Sequence, residues 1–237
     1  MPKGIEMSTK EKYEVLRASY TLETASEDTI AQLASLATAH LFKKGELIFR
    51  ENDPCRFFHV VKEGRVKNFK QSGSGRHFTA SVGGPGDTLN TVVLFSGNPY
   101  FLSAQAMDDV VLLRVRRDEY VSTTMKDQGY LLKQLYISEQ VVKSCCDRLM
   151  DAVGERAEQR VYNMLHMLYA KFGSELRFTS EEIGELSGTT TETVIRIFAG
   201  LKSLNVIGSE RRNIHILNGV ELKNLCSGSS GHSPGRI

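Results

Sequence analysis

The stretch from Phe178 to Leu204, FTSEEIGELSGTTTETVIRIFAGLKSL, constrains this chain more than any other. Two helix start signals, Thr179-x-x-Glu182 and Thr189-x-x-Glu192, stand ten residues apart. Each pairs a hydroxyl that can accept from an orphan amide with a carboxylate that can return the bond. Ile183, Leu186, Val194, Ile197, Phe198, Leu201 and Leu204 fall at helical spacing, while Gly184 and Gly188 permit close approach and a tight turn. The prediction is two short helices joined by a glycine turn, a helix-turn-helix whose second member can enter a DNA major groove.

A helical hairpin buried in a core is the alternative. It accounts for the apolar stripe but not for Thr190, Thr191, Glu192 and Arg196 on the polar face near the start of the second helix. Those residue types contact phosphates and base edges. Beyond the helix, Val206-Ile207, the polar run 208–213 and Ile214 to Leu217 predict strand, turn and strand, which makes the unit a winged helix. Thr179, Ser180, Thr189, Thr190 and the wing residues Arg211 and Arg212 are the candidates for phosphate contact; for the two arginines, a solvated turn is the competing reading.

Upstream the pattern is different. From Leu41 to Arg117 short apolar runs (Glu46 to Phe49, Phe57 to Val61, Arg65 to Phe69, His77 to Val82, Val110 to Val115) alternate with glycine and turn residues. Many short strands at that spacing predict an antiparallel barrel or jelly roll. A helix capped by Ser26 precedes it, and residues 1 to about 20 suggest no firm element. After the barrel, Asp127 to Val153 reads as one long helix. Its narrow seam of Leu131, Leu135, Ser138, Val142, Cys145 and Leu149 alternates spacings of four and three, as in a two-helix coiled coil. The competing reading packs that seam on the chain's own barrel. Gly154 is the expected hinge before the next helix, Glu155 to Lys171, and the Gly/Ser-rich tail 227–237 is expected to be disordered.

Composition narrows the class. With 237 residues and 41% hydrophobic content the chain can bury a sizeable core, and no apolar run approaches a membrane span, so a cytoplasmic protein without membrane contact is expected. Net charge is only +2, and Gly154 to Cys226 carries nine basic against nine acidic residues, so attraction to DNA must come from charge placement. Cys55, Cys145, Cys146 and Cys226 lack paired zinc-ligand spacing, and no metal site is expected. No catalytic residues are expected either: there is no His/Glu ligand cluster, Ser/His/Asp order or phosphate loop.

A glycine-punctuated barrel, a long dimer helix and a winged helix in that order resemble the CRP/FNR family of bacterial transcription regulators. The pattern Ile183-Gly184, Gly188, Glu192-Thr193-Val194-x-Arg196-Ile197 is the most specific part; Gly45, Gly64, Gly75 and Gly86-Asp87 support it. The resemblance implies an α+β fold: a cyclic-nucleotide-binding-like jelly-roll barrel over 22–126, a dimerisation helix over 127–153 and a winged helix-turn-helix over 154–226. It implies a homodimer on a palindromic site in double-stranded DNA, read by Thr191, Glu192 and Arg196, and a meeting with RNA polymerase. Arginine suits guanine and glutamate suits cytosine. Thr191 and Ile195 depart from the arginine and serine of the two family types, which leaves the operator sequence open.

The sensor also departs. Asn90 and Thr91 stand where cyclic-nucleotide binders carry Gly-Glu, and Leu102 replaces the arginine that pairs with the cyclic phosphate, so cyclic-nucleotide binding is disfavoured. An iron-sulfur cluster is disfavoured because no cysteine precedes Cys55. Three options stay open. One is a small-molecule effector held by Leu89, Thr91, Phe95, Leu102, Ser103 and Tyr136. The others are haem, with His40, His59 or His77 as axial ligands, and thiol chemistry at Cys145. The functional expectation is an effector-responsive, dimeric, DNA-binding regulator; the alternative is a ligand-binding regulatory module that acts on a protein partner without DNA.

Overall fold

The computed structural model describes residues 3–73, 75, 77–210 and 212–226. Arg211 and the predicted disordered tail 227–237 lie outside the described residues.

The chain opens with elements that its polar composition concealed: a strand β1 (Lys3–Ile5) and a helix α1 (Thr9–Arg17). The helix has a complete capping box, with Glu11 N–H donating to Ser8 Oγ at 3.2 Å and Ser8 N–H donating to Glu11 Oε2 at 2.9 Å. Leu16 is its one fully buried residue, so almost no apolar periodicity advertises it. A 3₁₀ turn (Tyr20–Leu22) leads to α2 (Glu27–Leu36), capped by Ser26 as predicted.

Two antiparallel sheets follow. The first has the order β1-β2-β8-β4, built from β2 (Thr38–Phe42), β4 (Phe57–Glu63) and β8 (Val110–Arg116). The second has the order β3-β7-β5-β6, built from β3 (Leu47–Phe49), β5 (Val66–Gln71), β6 (His77–Gly83) and β7 (Ser103–Ala106). Gly64 makes the β4–β5 turn at φ +81°, and a Cβ there would lie 2.5 Å from the carbonyl oxygen of Asp109, so only glycine fits. A short α3 (Val92–Ser96) interrupts the strands, and α4 (Arg117–Thr124) closes the series.

The long helix α5 runs Gln128–Gly154. Its start is anchored by side chains: Asp127 accepts from Ser26 N–H, Thr29 Oγ1 and Tyr130 N–H at 2.8, 2.8 and 3.1 Å, and the buried hydroxyls of Tyr120 and Tyr130 bond each other. The Tyr120 ring stacks on Phe58 with centroids 4.0 Å apart. Leu16, Leu22, Ile30, Leu33, Val60 and Leu113 complete this core.

The chain divides into two compact units, Met1–Gln71 with Ala80–Gln140, and Ser72–Thr79 with Val141–Ile237. In the second, the later half of α5 is followed by α6 (Ala157–Phe172), β9 (Glu175–Leu176), α7 (Ser180–Ser187), α8 (Thr191–Ser203), β10 (Ile207–Glu210), β11 (Asn213–Ile216) and α9 (Gly219–Cys226). The sheet order is β10-β11-β9, with Ile207 paired to Ile216 and Ile214 to Leu176. Its core is Val161, Leu165, Phe178, Ile183, Leu186, Val194, Leu201 and Leu222.

The break between α5 and α6 lies two residues beyond Gly154, the predicted hinge. Gly154 is the last residue of α5, and Glu155 N–H still donates to Asp151 O at 3.0 Å. The chain changes direction at Arg156, the extended N-cap of α6 at φ −67°, ψ 155°. A glycine at an exposed helix end costs little, so its presence did not mark the break.

Candidate nucleic-acid interface

α7 begins as its sequence requires: Glu182 N–H donates to Thr179 Oγ1 at 3.1 Å and Thr179 N–H donates to Glu182 Oε2 at 2.7 Å. It ends at Gly188, whose φ of +62° gives the left-handed C-cap, with Gly188 N–H bonded to Gly184 O. A Cβ on Gly184 would lie 3.1 Å from Thr189 O, so its missing side chain sets how closely the turn folds over α7.

The second start signal is displaced by one residue. Thr190, not Thr189, is the N-cap of α8: Thr193 N–H donates to Thr190 Oγ1 at 3.2 Å. Thr189 instead donates its N–H to Gly184 O at 3.0 Å and closes the turn. Glu192 therefore belongs to no capping box.

Val194, Ile197, Phe198 and Leu201 are buried, and Thr191, Glu192, Ile195 and Arg196 are exposed on the other face of α8. The three predicted base readers thus share one solvent face on its first turn and a half. Thr179, Ser180 and Thr189 are half-buried around the turn, and Thr190 is exposed. On the wing Arg212 is exposed at φ +65°, the left-handed tip of the β10–β11 hairpin.

Two residues escaped the sequence reading. Arg160, on α6, donates to Ser187 O, Gly188 O and Glu155 O at 3.0, 3.1 and 2.9 Å. Arg148, on α5, donates to Leu186 O at 2.7 Å and to Thr79 O at 3.1 Å, with its guanidinium 4.6 Å from the Phe78 ring centre. Arginines on polar helix faces resemble solvated charges, and no spacing rule singles these out.

Along α5 the predicted seam faces solvent: Leu135 is 69% exposed, Val142 61% and Leu149 64%, and Cys145 is exposed as well. Leu135, which belongs to the first unit, is thus not packed into that unit's own core. Leu131 differs, being half-buried against the first unit's core; Ser138 is half-buried and donates to Gln134 O at 2.8 Å.

The predicted effector residues scatter in their roles. Leu89 is core, 3.4 Å from where a Cβ on Gly83 would sit, and Phe95 lies by the Tyr120 and Tyr130 rings at 6.3 and 6.4 Å. Thr91 is buried at the start of α3, Leu102 is half-buried, Ser103 Oγ accepts from Glu51 N–H at 3.0 Å, and Tyr136 is exposed on α5. Two polar atoms here lack partners. Asn68 is buried, with Nδ2 donating to Ser81 Oγ at 3.1 Å and Oδ1 unbonded, and Asn90, at φ +55°, has an unbonded buried Nδ2.

The histidines stand apart. Thr38, Arg114 and His59 are register partners across β2, β8 and β4, hence on one face of the sheet, which His40 shares two residues along. Burial, then the fields of Arg114 and His40, push the His59 imidazole down to about 3, so it is neutral. His40 Nε2 lies 3.1 Å from Thr38 Oγ1 and its Nδ1 is buried without a partner; burial and Arg114 also lower its pKa. His77 Nδ1 is 3.5 Å from Glu185 Oε1.

Residues 39–127 match the cyclic nucleotide-binding domain model, and 159–225 match the Crp-like helix-turn-helix domain model. The transcriptional activator protein anr of Pseudomonas aeruginosa is 24% identical over 197 residues, covering 78% of this chain and 79% of the relative. The CRP-like cAMP-activated global transcriptional regulator of Mycobacterium tuberculosis is 25% identical over 224 residues, covering 88% and 97%. Among solved structures, FixK2 from Bradyrhizobium japonicum superposes with a TM-score of 0.74 at 25% identity, covering 82% of this chain and 99% of that one. No helix among the described residues is long and apolar enough to cross a membrane. With both domain models in the predicted order and these relatives across most of its length, the chain belongs to the CRP/FNR family of DNA-binding transcription regulators.

Proposed function

We propose that this regulator binds palindromic double-stranded DNA as a homodimer, under the control of an uncharged small-molecule effector in the first unit, and that it acts on RNA polymerase from the bound operator. The observation that carries the reading is the division of α8 into a buried face and an exposed face that presents Thr191, Glu192 and Arg196 together. A module acting only on a protein partner has no need of that face or of a wing.

Dimerisation rests on α5. Side chains of Leu135, Val142 and Leu149 left in water forgo roughly 1.5–3 kcal/mol each relative to full burial, and a second copy of the same helix offers the matching surface. Cys145 lies on the same stripe, where an intersubunit disulfide is open to it.

For the effector, the resemblance places Leu102 where cyclic-nucleotide binders carry their phosphate-pairing arginine, while Asn68 and Asn90 each keep an unbonded buried atom, one acceptor and one donor. Neutral amide groups suit a neutral ligand with hydrogen-bonding edges better than a phosphate. A neutral organic effector is preferred to haem because His59 is sealed by burial and His77 Nδ1 is set against Glu185 Oε1.

The test is a titration of full-length protein against a random duplex library at rising salt, with sedimentation to count subunits on the selected DNA. Enrichment of two half-sites about 10 base pairs apart, two chains per duplex, is the expected result. Failure to retain any duplex at low salt would favour the protein-partner module.

A further inference from the structure

The last carbonyls of a helix have no partners within it, and in most helices water or a turn takes them. At the end of α7 three in succession, those of Leu186, Ser187 and Gly188, are taken by guanidinium groups from two other helices. Arg148 comes from α5 and Arg160 from α6, and the fork of Arg160 spans two of the carbonyls while its remaining Nη1 reaches Glu155 O in the α5–α6 connection. Positive charge is also favoured at this end of the helix dipole. The turn's own backbone bonds, Gly188 N–H and Thr189 N–H, both go to Gly184 O and take none of these three carbonyls.

We infer that Arg148 and Arg160 are positioning residues for DNA recognition: they clamp the end of α7 and so fix the direction in which α8 leaves the turn. The inference rests on the DNA-reading role of α8 and deepens it. Because only Gly188, Thr189 and Thr190 separate Ser187 from α8, any swing of that end is carried to Thr191, Glu192 and Arg196. The clamp also has an input. Arg148 is part of the long helix and holds Thr79 O and the Phe78 ring, and Arg160 holds the carbonyl just before the Arg156 bend. A change in how α5 meets α6 would therefore reach α8 through guanidinium groups, without passing through the α6–α7 chain connection.

The geometry demands a planar, multiply donating group. Lysine keeps the charge but presents one ammonium, which cannot span Ser187 O, Gly188 O and Glu155 O in the arginine's arrangement.

The test uses full-length protein carrying Arg160→Lys, and separately Arg148→Lys. Each is titrated by fluorescence anisotropy with a duplex selected by the wild type and with a scrambled duplex, alongside hydrogen exchange of peptides covering 183–193. The expected result is at least a tenfold loss for the selected duplex, an unchanged salt slope and affinity for the scrambled one, and faster exchange confined to 186–190. Selected-duplex affinity within twofold of wild type for both variants would overturn the inference. So would a parallel loss on both duplexes, or exchange that rises throughout α6 and α8, since either describes a general folding defect. A wild type that fails to bind any duplex would instead overturn the DNA reading itself.

Discussion

Thr190 Oγ1 accepts the N–H of Thr193 at 3.2 Å and lies 3.0 Å from its hydroxyl, so the first turn of α8 is closed by threonine oxygens and the Glu192 carboxylate is left to solvent. Cap and reader are thus separable. Thr190→Val should lower stability by about 1 kcal/mol, the usual loss of an N-cap. Glu192→Gln, which forgoes only the dipole contribution, should cost about 0.3–1 kcal/mol in stability, yet shift base preference at one position per half-site. Thermal melts and library selection on the two variants measure both effects.

Arg196 and Arg212 should fail differently. Arg196→Ala is expected to cost roughly 1–3 kcal/mol on the selected duplex and to relax sequence choice, whereas Arg212→Ala should weaken all duplexes alike and reduce the salt slope by about 1. Anisotropy titrations at several salt concentrations distinguish the two. Unchanged selected-duplex affinity for the Arg196 variant would remove it from the readers.

Gly188 has open space around its α-carbon, so a methyl group there meets only the backbone's left-handed geometry at φ +62°. Gly188→Ala should therefore destabilise the chain by about 1–2 kcal/mol. Gly188→Asn should recover much of that, because asparagine visits this conformation more readily. Chemical denaturation of the pair checks the order.

His59 sets an acid limit on stability. Its folded pKa of about 3 lies below the ordinary value of 6.5, so between these pH values the unfolded chain binds a proton that the folded chain refuses. Stability from this residue is complete above pH 6.5 and falls by about 1.4 kcal/mol per unit as pH decreases below it. Urea midpoints from pH 7 to 4.5 should slope less in His59→Gln than in wild type. Identical slopes would show that His59 titrates normally.

The α5 stripe predicts an assembly phenotype without a folding one. Leu135→Glu combined with Leu149→Glu should give a monomer by sedimentation, with each exposed substitution within about 0.5 kcal/mol of neutral for folding of the single chain. A dimer that survives both changes would place the subunit contact elsewhere.

Much of the output domain was legible because its signals are local. The Thr179–Glu182 box, Gly188 and the spacing of Ile183, Leu186, Val194 and Ile197 each report a constraint within a few residues. Where two local signals competed the reading slipped: Thr189 and Thr190 can both cap, and the turn's bond from Thr189 N–H to Gly184 O decided between them. β2 and β7 were missed because they are short and find their partners through sheet pairing, as Thr38–Phe42 does against Val110–Arg114, and α3 because five residues are too few to show a helical period. The guanidinium clamp was illegible for the same reason: nothing near Arg148 or Arg160 in sequence announces that Leu186, Ser187 and Gly188 lie beside them. The sensor residues were the hardest to read, since Leu89 and Phe95 are apolar whether they line a ligand or, as here, join a core.

The exposed face of α8 has a bearing on how such regulators diversify. Thr191, Ile195 and Arg196 contribute nothing to the buried side of the helix, and Ile195 is 56% exposed. The frame beneath them is held by Gly184, Gly188 and a buried apolar row. Substitutions at these outer positions are therefore nearly free of folding cost, so if this face reads DNA as proposed, a gene duplicate can acquire a new target sequence by one or two changes before any compensating mutation is required.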